Sequence, residues 1–261
     1  MSPHYADEWV TLYGGDALAV LAALPAASVD AVLTDPPYSS GGLYKGDRAM
    51  STTDKYTKTG YGGANLEGFS GDNRDQRSFL TWMNLWLGEA RRVLAPGGIV
   101  GLFTDWRQLP SMTDALQVGG YVWRGIVPWY KPIARPQTGR FTASCEYLIW
   151  GSNGALPTAR GVPPLPGFYE GSAPQQRDHQ TQKPLDVMRS LVRIVPPGGV
   201  ILDPFMGSGT TGCAAVLEGR RFVGSELMPH YLDVSERRIR TALGQALATT
   251  EDQDALFGGA S

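Results

Sequence analysis

Three short apolar runs stand out along the chain, and each meets a turn built from Pro or Gly. Val29-Asp30-Ala31-Val32-Leu33-Thr34 runs directly into Asp35-Pro36-Pro37-Tyr38. Gly98-Ile99-Val100-Gly101-Leu102-Phe103 follows Pro96-Gly97, and Gly199-Val200-Ile201-Leu202 follows Pro196-Pro197-Gly198. Near-continuous runs rich in β-branched residues, without polar alternation, are the pattern of strands buried on both faces of a parallel sheet. Weaker strand patterns cover residues 10–13, 121–129, 146–150 and 221–224. Apolar positions at helical spacing predict helices over 17–24, 76–94, 106–117, 184–195, 210–218 and 229–246.

This alternation of strand and helix predicts an α/β domain with a doubly wound, largely parallel sheet over residues 1–246. Two polar insertions rich in Gly, Pro, Ser and Thr interrupt it, at 39–75 and 151–182. Each lies just beyond a strand–turn element, where a scaffold holds loops over a ligand crevice. Residues 247–261 carry three acids and no base and read as a disordered acidic tail. The 261 residues hold two distant cysteines, Cys145 and Cys213, which form neither a disulfide framework nor a zinc spacing. His4, His179 and His230 form no metal set. With no signal peptide and no apolar stretch long enough for a bilayer, the expectation is a cytoplasmic protein without a membrane partner.

A net charge of −2 gives no sign of nucleic-acid binding. Its distribution changes the picture: without the tail the balance is 23 basic against 22 acidic residues, and the stretch from Lys131 to Lys183 holds six bases against three acids. Phosphate contacts need a local patch, not a basic whole, although a solvated loop would read the same way.

The first candidate chemistry lies at Asp35-Pro36-Pro37-Tyr38. An ionised Asp35 only accepts hydrogen bonds, and the two prolines lack N–H groups, so this edge presents carbonyls and almost no donors. Tyr38 adds a flat aromatic face. Such a slot suits a planar ring bearing an NH₂ group: the Asp35 carboxylate and the Pro36 carbonyl each accept one N–H, and the charge developing on the attacking nitrogen is stabilised. Asp35, or a water beside it, takes the surplus proton. A plain Asp-Pro turn is the bland counterpart.

The second lies at Leu202-Asp203-Pro204-Phe205-Met206-Gly207-Ser208-Gly209-Thr210-Thr211. Here a strand ends in Asp-Pro, a glycine turn follows, and a helix opens at Thr210 with its N–H groups and positive dipole end toward a ligand carboxylate. Residues 207–212 also match GxGxxG, with Glu226 nineteen positions beyond Gly207, as in a dinucleotide site. The Asp203-Pro204-Phe205 interval and the otherwise roleless Asp35 slot favour a methyl donor over a dinucleotide, while Glu226 suits the ribose of either.

Together these motifs resemble the DNA amino-methyltransferases that act on adenine N6 or cytosine N4. The Asp35–Tyr38 tetrapeptide is similar to the family's catalytic motif, in the form usual among adenine enzymes. Gln182-Lys183-Pro184, the 202–211 stretch and Ser225-Glu226-Leu227 with Tyr231 resemble its cofactor half, and Gly15-Asp16 resembles the acid that holds the cofactor adenine. The catalytic motif precedes the cofactor motif, as in the permuted β subclass.

The resemblance implies a Rossmann-like S-adenosylmethionine-dependent methyltransferase, with a mostly parallel seven-stranded sheet, helices on both faces and two long loop insertions. By the same resemblance Asp35, Pro36, Pro37 and Tyr38 are catalytic. Asp16, Lys183, Asp203, Pro204, Phe205, Gly207, Ser208, Gly209, Thr210, Thr211, Glu226 and Leu227 bind S-adenosylmethionine, and no metal takes part. It further implies a double-stranded DNA partner whose target adenine is flipped out, with cytosine N4 or an RNA base as alternative acceptors, and a homodimer as is frequent in the subclass. A non-catalytic nucleotide-binding subunit is the remaining alternative, disfavoured because both half-sites are intact. Residues 39–75 would form the substrate loop and about 131–182 the target-recognition segment. Tyr44, Lys45, Arg48, Arg135, Arg140 and Arg177 are candidates for DNA contact. A cytosine-C5 mechanism is excluded, since it needs an attacking thiol typically after proline and neither cysteine has that setting. Most of the seven tryptophans are expected in the core, and Trp129, next to Tyr130 and Lys131, is the one to test for a pocket role.

Overall fold

The structure is a computed structural model that describes residues 1–37, 74, 76–132, 134, 136, 138–158, 161–172 and 183–257, the side chains of residues 76 and 250–257 excepted. The sequence expectations for Tyr38, Tyr44, Lys45, Arg48, Arg135 and Arg177 lie outside these residues.

The strands are β1 (Tyr5–Ala6), β2 (Val10–Gly14), β3 (Val29–Thr34), β4 (Leu94–Thr104), β5 (Val122–Tyr130), β6 (Cys145–Ser152), β7 (Tyr169–Glu170), β8 (Val200–Asp203) and β9 (Arg221–Glu226). The helices are α1 (Ala17–Ala23), α2 (Gln76–Val93), α3 (Leu109–Val118), α4 (Leu185–Val192), α5 (Thr210–Leu217) and α6 (Pro229–Phe257). All strands join one sheet in the order β1-β2-β9-β8-β3-β4-β6-β5-β7. The five strands from β2 to β4 in that order are parallel to their neighbours, whereas β6 pairs antiparallel with both β4 and β5. The sheet is mostly parallel, as expected, but it has nine strands and not the expected seven. The two-residue strands β1 and β7 extend it to nine.

The central strands alternate their burial between two cores, as the two-residue period of a strand requires. Ala31 and Leu33 pack with Ile99, Ile201 and Phe222 beneath α4, α5 and α6, including Val187, Leu191, Ala214 and Ile239. Val32 faces the other way, with Val100, Leu102 and Leu202, under Leu21, Phe79, Trp86 and Leu116 from α1, α2 and α3. This sandwich leaves the strand ends free. From β3 the chain moves outward to β4 on one side, while β8 and β9 fill the other. The switch point, where open α/β sheets bind ligands, therefore lies between the C-terminal ends of β3 and β8.

Three boundaries differ from the sequence reading. β4 begins at Leu94, immediately after α2, and Pro96-Gly97-Gly98 forms a step inside it. Pairing with β3 jumps from Val29–Leu94 to Ala31–Ile99, and Asn153 secures the step by donating its side-chain amide to the Leu94 carbonyl at 2.8 Å. α3 begins at Leu109 because Asp105 accepts the N–H groups of Arg107 (2.9 Å) and Gln108 (3.1 Å) in a preceding turn. The third is a correction at the C-terminus. Residues 247–257 of the expected disordered tail continue α6. The stretch contains no Gly or Pro before Gly258, so nothing in its intrinsic preferences stops the helix.

Candidate active site

The ends of β3 and β8 are tied together by a buried carboxylate. Asp203, 2% exposed, accepts the Thr34 hydroxyl at 2.6 Å on one oxygen and the Thr211 hydroxyl at 2.7 Å on the other. The Phe205 N–H adds a third bond at 3.1 Å. Thr34 closes β3 directly before Asp35, and Thr211 lies in the first turn of α5. One side chain thus binds the Asp35 strand to the glycine-turn helix. Burial pushes the Asp203 carboxyl up to about 6, against the pull of these three donors and with a further push from nearby Asp35.

Asp35 is met by charge from the opposite side. Lys183, directly before α4, bonds its ammonium to Oδ2 of Asp35. The same ammonium lies 3.4 Å from Oε2 of Glu146 on β6, whose Oε1 accepts from Lys131 at 2.7 Å. The Phe103 ring, 5.1 Å away, and the Trp129 ring, 6.0 Å away, flank the Lys183 ammonium. The four charges form an alternating row: Lys131, Glu146, Lys183, Asp35. Burial alone would lower the Lys183 ammonium, but Asp35 and Glu146 hold it above the usual lysine value. Burial alone would raise the Glu146 carboxyl, and its two lysines hold it below the usual glutamate value. Both stay charged.

Across the glycine turn, Glu226 closes β9. One of its oxygens accepts the Gly207 N–H at 3.0 Å and the other the Met228 N–H at 2.8 Å. With up to four acceptor positions, this carboxylate can still accept a ligand hydroxyl beside its backbone donors. Burial raises the Glu226 carboxyl in spite of these backbone donors. Asp16 follows β2, the neighbour of β9, and caps α1 by accepting from Leu18 and Ala19 at 3.0 and 3.3 Å. Phe205 packs its ring against Trp82 at 5.3 Å and Trp86 at 5.1 Å, and the Arg74 guanidinium covers Trp82 at 4.3 Å.

Gly209 has φ +78°, and a Cβ there would stand 2.9 Å from Cβ of Ser235 on α6. At Gly212 a Cβ would stand 2.5 Å from Cδ1 of Ile239 and 2.8 Å from the Phe222 ring. The turn is therefore a tight cradle backed by α6, and the Arg238 guanidinium holds it by donating to the Ser208 carbonyl. An acidic diol binder, an aromatic wall and a glycine cradle at a helix start fit a nucleoside joined to an amino-acid carboxylate.

The structure thus gathers Asp35, Pro36 and Pro37, the 203–211 turn, Asp16 and Glu226 at one end of the sheet. Leu227 follows Glu226 and is 52% exposed. Lys183, expected beside the cofactor, directs its ammonium to Asp35 and Glu146. Arg140 is exposed in the loop between β5 and β6, next to the fully exposed Phe141. Trp129 is buried in the core at 3% exposure, its indole N–H donating to the Gly171 carbonyl at 2.9 Å and its ring 6.0 Å from the Lys183 ammonium. Trp106 and Trp123 are exposed rather than packed in the core. Sequence reasoning assigned no role to Thr34, Lys131 or Glu146. The one available signal for the last two was the charge excess after Lys131, which says nothing of pairing. Among the described residues no cluster of His, Cys, Asp and Glu could hold a metal, and no helix is long and apolar enough to cross a membrane.

Comparison with known proteins agrees with this geometry. The DNA methylase family model for N6/N4 methyltransferases matches residues 29–237. The Type II methyltransferase M2.MboI of Moraxella bovis is 26% identical over 260 residues, covering 89% of this chain and 88% of that protein. YubD of Escherichia coli (strain K12), named as a methylase, is 28% identical over 86% of this chain and 88% of its own. Among solved structures, the DNA modification methylase TTHA0409 of Thermus thermophilus, in complex with S-adenosyl-L-methionine, superposes with a TM-score of 0.64 at 23% identity. That alignment covers 89% of this chain and 95% of the other. The cytosine-N4-specific PvuII DNA methyltransferase gives a TM-score of 0.67 at 18% identity, over 94% and 95% of the two chains.

Proposed function

The chain belongs to the N6/N4 DNA methylase family, and within it we propose a DNA methyltransferase that uses S-adenosylmethionine to methylate the N6 amino group of an adenine flipped out of the duplex. The observation that carries this reading is the single hydrogen-bonded tie, Thr34–Asp203–Thr211, that sets the Asp35 slot beside the glycine cradle. An amine-binding slot and a nucleoside cradle sharing one strap are what transfer between two bound ligands requires.

When bound, S-adenosylmethionine supplies an electrophilic methyl group. Glu226 accepts its ribose hydroxyls, Phe205 lines the pocket wall, and the N–H groups opening α5 face its carboxylate. Asp35 and the Pro36 carbonyl hold the target amine by its two hydrogens and orient the nitrogen lone pair toward the cradle. The charge that builds on that nitrogen meets the Asp35 carboxylate, and the proton it releases passes to water. Tyr38 stacks on the base, and Tyr44, Lys45, Arg48, Arg135, Arg140 and Arg177 contact the nucleic acid.

Purified protein incubated with isotopically labelled S-adenosylmethionine and duplex DNA should yield labelled N6-methyladenine on nucleoside analysis. Asp35→Ala should lose that label while its dissociation constant for the cofactor stays within about threefold, since Asp35 contacts the amine and not the cradle. Label on cytosine N4 would replace adenine as the acceptor. Cofactor binding with no label on any base would overturn the reading.

A further inference from the structure

Two residues outside the motifs quoted from the sequence, Glu146 and Lys131, complete the charged row that ends at Asp35. We propose that Glu146, braced by Lys131, is a positioning residue for methyl transfer: it holds Lys183 against Asp35 and thereby fixes Asp35 as a hydrogen-bond acceptor for the target amine. The inference rests on the methyl-transfer reading above.

The row is costly to build for packing alone. Side-chain exposure is 7% for Lys183, 18% for Glu146 and 21% for Asp35, and taking such ions out of water is unfavourable for each. Apolar side chains would fill the space between Phe103 and Trp129 at less expense. The row also has a direction. It starts at the more exposed Lys131, 27%, crosses the antiparallel β5–β6 pair, and terminates on the one carboxylate at the end of β3.

Lys183 by itself could retain its ammonium elsewhere along the Asp35 edge or release its proton under the burial around it. Glu146 prevents both by adding a second anion on the far side. Lys131 in turn keeps Glu146 charged and fixes one of its oxygens, so that the other faces Lys183. Asp35, with a cation against Oδ2, is then a poor resting place for the substrate's proton and a stable partner for its N–H. Among the described residues, the groups facing Lys183 are Asp35, Glu146 and the rings of Phe103 and Trp129. Lys131 lies beyond Glu146 and Asp203 beyond Asp35.

The sign of the pH effect follows. Neutral Lys183 no longer anchors Asp35, so activity is lost as pH rises through the Lys183 titration. Glu146→Gln removes the second anion and leaves the Lys131 charge unopposed, which favours deprotonation of Lys183. The alkaline loss of activity must then begin at lower pH than in the unsubstituted protein.

The test measures single-turnover methyl transfer to duplex DNA across pH, with cofactor affinity and thermal unfolding as controls. Glu146→Gln is expected to slow transfer at neutral pH on the order of tenfold, to move the alkaline limb down, and to leave the cofactor dissociation constant unchanged. Glu146→Asp keeps the charge at shorter reach and should restore part of the profile; it is also the variant to read if Glu146→Gln does not fold. In a Lys183→Met background, Glu146→Gln should add no further loss, because it acts through Lys183. A loss equal at every pH, or losses that multiply in the double variant, would overturn the proposal. Labelling of DNA by the unsubstituted protein reports on the methyl-transfer reading separately, so the two failures are distinguishable.

Discussion

Asp203 shows how one side chain can serve the fold and oppose it at once. Its oxygens hold both the end of β3 and the first turn of α5, yet burial makes its ionised form the expensive one and lifts its carboxyl from the ordinary 3.8 to about 6. Between those two values the folded chain binds more of this proton than the unfolded chain does. Stability from this group is therefore fullest below the unfolded value and declines as pH rises through the folded one. Denaturant unfolding of the wild type and of Asp203→Asn, measured from pH 4 to 7, isolates the effect. The wild type should lose stability relative to the variant as pH rises, at no more than about 1.4 kcal/mol per pH unit, and the difference should level off above about pH 6. A difference that is flat or rises across that window would mean that Asp203 is ionised in the fold at ordinary carboxylate pH.

The glycine turn and its helix belong to the next scale. Gly209 is the N-cap of α5, in the left-handed region at φ +78°, and its missing side chain leaves room for Ser235 and Ile239 of α6. Gly209→Ala adds strain at that φ and a clash with α6, together worth roughly 1–3 kcal/mol. Because α6 backs the turn, the same variant should weaken cofactor binding and lower the thermal midpoint together. A variant with normal affinity and stability would show that α6 does not back the turn.

At this scale the sequence spoke clearly in some places and not in others. β3 and β8 were legible because strands buried on both faces are apolar throughout, and the Asp-Pro turns marked where they stop. The literal GxGxxG was legible too, but its third glycine serves packing against Phe222 and Ile239, a need that unlike ligands share. The step inside β4 was not legible, since a Pro-Gly-Gly run reads as a helix stop until its pairing with β3 and Asn153 is known. Glu146 and Lys131 were equally hidden. Their meeting depends on β6 being inserted antiparallel between β4 and β5, a contact between segments that no local pattern encodes.

For the whole molecule, a net charge of −2 gives no attraction to DNA by overall charge, and phosphate contacts then need a local cluster of cations. Two lysines of the basic stretch, Lys131 and Lys183, are paired with Glu146 and Asp35. The loop between β5 and β6 leaves the sheet at Tyr130 and returns at Cys145, beside the charged row, and Arg140 within it is exposed. If this arm lies along the backbone, Arg140→Ala should weaken binding to all duplex sequences alike. It should also reduce the steepness of log affinity against log salt by about one. Methyl transfer at saturating DNA should be nearly unchanged, because the arm supplies position and not chemistry. Binding titrations from low to physiological salt, on target and random duplexes, decide the matter. An unchanged salt slope removes Arg140 from the interface, and a loss confined to the target sequence makes it a reader of bases instead.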